Sequence, residues 1–201
     1  MAKASVTPEK AVFLSASVPD PERDRRYIDT ADVTAIRDAV RALVAVVTPA
    51  RTLVFGGHPA ISPFVLRAAR DLGWERRVVI YVSRFFRAKV PQDNLAFPRI
   101  TWTPSVRRDR EQSLARMRRE MLDAFTYTAG VFIGGMEGVE QEHALFRARW
   151  PVVPTYPVAS TGAAARVLFD AGEGPRDQAT RDALANEYTY GALLARLPGV
   201  G

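Results

Sequence analysis

Cysteine is absent from this 201-residue chain, and histidine occurs only as His58 and His143. The first absence excludes disulfides, thiolate metal sites and cysteine nucleophiles; the second argues against a histidine-rich metal centre. No metal is therefore expected, and no cofactor is required. Long apolar runs are also missing. Nothing approaches the roughly 18 consecutive apolar residues of a membrane span, and residues 1–10 lack the apolar core of a signal peptide. The expectation is a soluble, cytoplasmic protein with no membrane partner. No internal repeat or low-complexity tract interrupts the chain.

What is present suffices for one substantial core. Hydrophobic residues make up 47% of the chain, which suggests a single domain over 1–201, with 1–9 as an N-terminal tail and 176–201 as a C-terminal helix that docks or forms a dimer contact. Lys+Arg 28 against Asp+Glu 22 leaves a net charge of +6. The positive side is almost entirely arginine, which attracts phosphate or nucleic acid without specificity and is equally a habit of GC-rich coding. Only Arg107, Arg108, Arg110, Arg116, Arg118 and Arg119 form a dense cluster.

Short apolar strands alternate with amphipathic segments. Residues 11–15, 52–55, 78–82, 100–103, 129–133 and 152–158 read as strands, the last interrupted by Pro154 and Pro157. Apolar residues recur at helical spacing in Val33–Val47, capped by Asp29 or Thr30, and in Pro63–Leu72. Leu114, Met117, Met121, Leu122 and Phe125 mark a helical face after Asp109. Val139–Arg149, Ala163–Phe169 and Asp177–Leu197 read as further helices, the last with Leu184, Tyr188, Leu194 and Leu197 on one face. Ser83–Phe97 has no clean period and reads as a partly ordered loop near a site mouth. This alternation predicts an α/β fold, a Rossmann-like doubly wound parallel sheet of about six or seven strands flanked by helices.

In such a sheet, ligands sit outside the carboxyl ends of the strands. Four predicted strand ends carry small or glycine-rich turns: Ser15-Ala16-Ser17, Gly56-Gly57-His58-Pro59, Gly134-Gly135-Met136-Glu137-Gly138 and Ser160-Thr161-Gly162. The third, followed by Val139 and a carboxylate-rich helix, has the layout of an anion-binding turn, in which glycine backbone and a helix N-terminus approach a phosphate. Convergence of all four on one crevice points to a nucleotide-type pocket. Each residue also has a plainer use. Ser15, Ser17 and Ser160 can bind ligand or cap the next segment, and His58 can touch a ligand or hold its own turn. Tyr81, Phe85 and Phe86 can stack on a base or pack the core.

The glycine segment resembles the motif of the SLOG superfamily, named for the Smf/DprA and LOG proteins. The LOG branch carries Gly-Gly-x-Gly-Thr-x-x-Glu after a strand, usually preceded by proline. Gly134 to Glu142 is similar with one residue added, Ile133 in place of proline and Val139 in place of threonine. Leu53-Val54-Phe55-Gly56-Gly57 is similar to the family's second-strand turn, and Arg118-Arg119 lies where LOG enzymes place a basic pair. The resemblance covers about residues 10–170.

It implies a small nucleotide-derived ligand of ADP-ribose or AMP type, and together with the four strand-end turns the candidates to bind or sense it are Ser15, Ser17, Gly56, Gly57, His58, Arg118, Arg119, Gly134, Gly135, Met136, Glu137, Gly138, Val139, Ser160, Thr161 and Gly162. The alternative it implies is a phosphoribohydrolase cleaving the N-glycosidic bond of a nucleoside monophosphate with Glu142 and Arg118, or Arg119 if the alignment slips by one. A second alternative is DprA-like binding of single-stranded DNA by the arginine cluster. The added residue and Glu137 fall where a phosphate would rest, which favours binding over cleavage. Signalling would then run through a homo-oligomer, such as a dimer, or a separate effector protein.

Overall fold

The structure is a computed structural model that describes residues 9–201. Most of the expected tail, residues 1–8, lies outside the described residues. Glu9 is anchored: its carboxylate accepts from Arg99 Nη2 at 2.9 Å and from the Thr52 hydroxyl.

Six strands form one all-parallel sheet: β1 (Lys10–Ser17), β2 (Thr52–Phe55), β3 (Val78–Ser83), β4 (Ile100–Thr103), β5 (Thr126–Gly134) and β6 (Thr155–Val158). Their order is β4-β3-β2-β1-β5-β6, a Rossmann-like arrangement. Successive side chains of a strand point to opposite faces. Along β1, Val12 and Leu14 therefore enter one core while Ala11 and Phe13 enter the other. β6 is an edge strand, which is why it tolerates Pro157.

The first core is covered by α2 (Val33–Val47), α3 (Ser62–Leu72), α8 (Gln178–Asn186) and α9 (Tyr190–Ala195). The second lies under α5 (Arg110–Asp123), α6 (Glu137–Arg149) and α7 (Ala163–Asp170). Its centre is aromatic. Phe13 stacks on Phe146 at 5.2 Å and meets Phe132 edge-on at 6.0 Å.

Several expectations need correction. The cap of α2 is Asp32, which accepts from Ala35 N at 2.8 Å. Asp29 instead ends a short helix, α1 (Arg25–Ile28), and Thr30 Oγ1 accepts from Ala163 N at 2.9 Å. The expected helix from 177 to 197 is two helices, because the chain is extended at Glu187 between them. The break turns Leu193 and Leu194 into the first core and leaves Tyr188 60% exposed. The 83–97 loop is a 3-10 turn, Arg84–Lys89, followed by α4 (Gln92–Leu95). It is tied to the sheet by Asn94, whose amide donates to the Gly57 carbonyl at 2.6 Å. Such a side-chain bond across 37 residues leaves no period in the local sequence.

Candidate functional site

Strands β1 to β4 build outward on one side of the sheet and β5 and β6 on the other, so the winding reverses between β1 and β5. Open α/β sheets leave a crevice at the carboxyl ends of such strands. A cleft of about 480 Å³ opens there. Ser15 and Ser17 line it from β1, Gly56 and Gly57 from the end of β2, and Met117 and Arg118 from α5. Met136, Glu137, Gly138, Val139 and Glu142 line it from the start of α6, and His58 sits at the rim.

Glu142 is the best-held polar group in this cleft. Ser15 Oγ donates to its Oε2 at 2.6 Å, and Arg118 Nε donates to its Oε1 at 3.1 Å. Arg118 also donates through Nη1 to Gln141 Oε1 at 2.9 Å. The two charged side chains are 11% and 15% exposed, so their pairing is little screened by solvent. Each carboxylate oxygen keeps a lone pair for a further donor. Gly56 leaves the space beside it open: a Cβ there would stand 3.8 Å from Glu142 Oε1 and 3.5 Å from Met117 Cε. α6 begins at Glu137, two residues before the expected start. Glu142 is thus in the second turn, and complementing the helix dipole falls to Glu137 and Glu140.

Those two carboxylates are clamped by the segment after β1. Arg23 bonds Glu137; Arg26 Nη2 donates to Glu140 at 2.9 Å, and the Tyr27 hydroxyl donates to it at 2.5 Å. Burial, aided by Glu140, pushes the Tyr27 hydroxyl up to about 12. Arg23 and Asp20 line the cleft on this side. The signal for this clamp was the opposite charge of Arg23 to Arg26 and Glu137 to Glu140, two segments far apart in sequence. Lys89 and Asn94, also in the lining, come from the 83–97 segment expected near a site mouth, whereas Gln141 was not singled out in the sequence.

Six of the expected contacts do not line the cleft: Arg119, Gly134, Gly135, Ser160, Thr161 and Gly162. Arg119 is exposed and outside the cleft lining, and Arg118 is the member of the pair that meets Glu142. Gly134 and Gly135 are held in place by Thr161 and Ala164. Gly134 N donates to Thr161 Oγ1 at 2.9 Å, and Gly135 O accepts from Ala164 N at 3.1 Å. Ser160 Oγ is 3.2 Å from the Tyr190 hydroxyl. Gly134 and Gly135 have φ of 54° and 91°, and a Cβ on either would collide with Ile36 or Val139. The paired glycines are thus required by packing. His58 Nδ1 accepts from Ala60 N at 3.2 Å and its carbonyl from Ser62 N at 2.9 Å, which starts α3. Tyr81 is buried in the second core, whereas Phe86 lines the cleft.

The model of the SLOG cluster3 family matches residues 26–197. The chain belongs to the SLOG cluster3 family. SLOG membership makes this a nucleotide-related ligand-binding or ligand-modifying domain. No curated protein matches the chain. Among the described residues of this SLOG domain, no cluster of three or more acidic or histidine side chains could hold a metal ion, and no helix is long and apolar enough to cross a membrane.

Proposed function

We propose that this SLOG domain binds and senses a nucleotide or nucleotide-derived ligand of AMP or ADP-ribose type in the cleft between β1, β2, α5 and α6. The observation that carries the reading is Glu142, held through both oxygens by Ser15 and Arg118 beside the open space at Gly56. An oriented carboxylate with free lone pairs suits the hydroxyls of a ribose. Phe55, Val82, Phe86, Val90 and Pro91 provide an apolar wall for a base. The volume of about 480 Å³ lies in the range of small-molecule sites.

A thermal-shift panel of AMP, ADP-ribose, NAD and cyclic nucleotides tests it, because a ligand of the native state raises the melting temperature by mass action. At least one should stabilise the protein, and Gly56→Ala, whose Cβ makes only ordinary contacts with Met117 Cε and Glu142 Oε1, should reduce that shift while keeping its own melting temperature. No shift across the panel would sink the reading.

The juxtaposition of Arg118 and Glu142 also supports a second reading, N-glycosidic cleavage of a nucleoside monophosphate. Glu142 would stabilise the oxocarbenium character of the sugar and position water. Free base released from AMP, and lost in Glu142→Ala with the fold intact, would establish it. Single-stranded DNA binding has less support. Three of the six clustered arginines, Arg110, Arg116 and Arg118, are engaged with carboxylates.

A further inference from the structure

With the base against Phe86 and Val90 and the sugar at Glu142, the part of the cleft left for a ligand's anionic group is its β1–α6 end. Ser17, Asp20 and Arg23 line that end from β1 and the strap after it, and Glu137 and Gly138 line it from α6. Donors are free there. Ser17 is 8% exposed, and its hydroxyl, beside Gly135, makes no hydrogen bond among the described residues. Met136 gives α6 no side-chain cap, so the N–H groups of Glu137 and Gly138 have no acceptor within the helix. Arg118 uses Nε on Glu142 and Nη1 on Gln141, while its Nη2 is 3.5 Å from where a Cβ on Gly138 would stand.

The obstacle to an anion at this end is Glu137. A phosphate at the first turn of α6 would lie beside that carboxylate, and like charges at contact repel. The carboxylate is at present neutralised by Arg23. Arg23 belongs to a strap fixed at both ends, since Ser17 closes β1 and Tyr27 is buried in the second core, whereas residues 20–26 between them are exposed. Its pair with Glu137 is the looser of the two ion pairs that clamp the strap. The side chains are 52% and 45% exposed, whereas Glu140 is 28% exposed and is bonded by both Arg26 and the Tyr27 hydroxyl. Exposed ion pairs add little to stability, so this one exchanges readily. A phosphate offers the guanidinium a stronger partner, through a bidentate fork.

We infer that Arg23 is a ligand-reading residue and that Glu137 competes with the ligand's anionic group for it. Binding transfers the guanidinium from Glu137 to the ligand, draws the strap over the cleft and releases the carboxylate to solvent. The inference rests on the nucleotide reading above and adds to it a residue outside the glycine motif, together with the internal competitor that sets its selectivity for charged ligands.

Calorimetric titration of adenosine and AMP tests it, at physiological salt so that a released Glu137 is screened from the ligand. The quantity read is the ratio of AMP to adenosine affinity. Both residues are exposed, so changing them spares the fold. Arg23→Gln should lower the ratio about tenfold, the scale of one lost charge-assisted contact. Glu137→Gln should raise it about threefold, the scale of an exposed pair no longer to be broken. In the double variant the gain from Glu137→Gln should vanish, because no guanidinium remains to be released. A gain that persists there would overturn the inference, since Glu137 would then act by its bare charge. An unchanged ratio in Arg23→Gln would overturn it as well. Equal binding of adenosine and AMP by wild type would also overturn it, while keeping the cleft as a nucleoside site. Failure of both to bind would remove the nucleotide reading itself, and the inference with it.

Discussion

Arg118 on α5 and Glu142 on α6 meet at 3.1 Å, and Ser15 at the end of β1 takes the other carboxylate oxygen at 2.6 Å. Three elements from different parts of the chain are thus joined at one largely enclosed carboxylate. Removing one partner of an enclosed ion pair leaves the other charge without compensation. Arg118→Ala should lower unfolding stability on the order of 2 kcal/mol, and Glu142→Gln, which keeps the shape and an acceptor, should cost less. Urea unfolding of both variants measures the difference. Equal, negligible losses would show that the pair does not hold α5 to α6.

The turn behind the cleft is sensitive to backbone geometry. Gly162 has φ of 69°, and a Cβ on it would stand 1.7 Å from the Thr30 carbonyl oxygen. Gly172 has φ of 87° but nothing within 4 Å of the same atom. Gly162→Ala should therefore cost about 3 kcal/mol or more, through both strain and collision. Gly172→Ala should cost about 1 kcal/mol, through strain alone. Similar melting temperatures for the two variants would contradict the close approach of Gly162 to the Thr30 carbonyl.

His143 makes stability depend on pH. It is 3% exposed, its ring lies edge-on to Phe132 at 4.8 Å, and its Nε2 has no hydrogen-bond partner among the described residues. Burial lowers its pKa, partly offset by Glu173, whose carboxylate is 3.6 Å away. The folded state thus keeps the ring neutral where the unfolded chain takes up a proton, so stability is level above about pH 6.5 and falls as pH drops below it. The slope is at most about 1.4 kcal/mol per pH unit. His58 is shifted in the same direction, so the informative quantity is the difference between proteins. The loss of stability between pH 7 and 5 should be smaller in His143→Leu than in wild type; an unchanged loss would show that another group carries it.

The architecture was legible because its signals are local. The nearly continuous Val78–Val82 run, the apolar stripe from Val33 to Val47 and the glycines after Phe55 and Ile133 each report on the segment that contains them, and the structure has β3, α2 and strand-end turns there. Errors arose where a distant contact decided a local outcome. Thr30 is drawn away from α2 by Ala163 N, 133 residues on. Gly134 gives its N–H to Thr161. The 83–97 segment is ordered by Asn94 reaching Gly57.

The alternation of apolar strands with amphipathic helices determined a parallel sheet with two helical faces, and small residues at its strand ends marked the edge where a cleft opens. Which of those residues reach that cleft was a matter for the tertiary structure alone. Ser15 and Glu142 are 127 residues apart, and Arg118 and Glu142 are 24 apart. They converge because the winding reverses between β1 and β5 and brings α6 back against β1 and α5. The place of β6 beside β5 likewise sets Thr161 against the glycine turn and outside the cleft lining. Pairing of charges depends on the order of strands in space, which local composition does not encode.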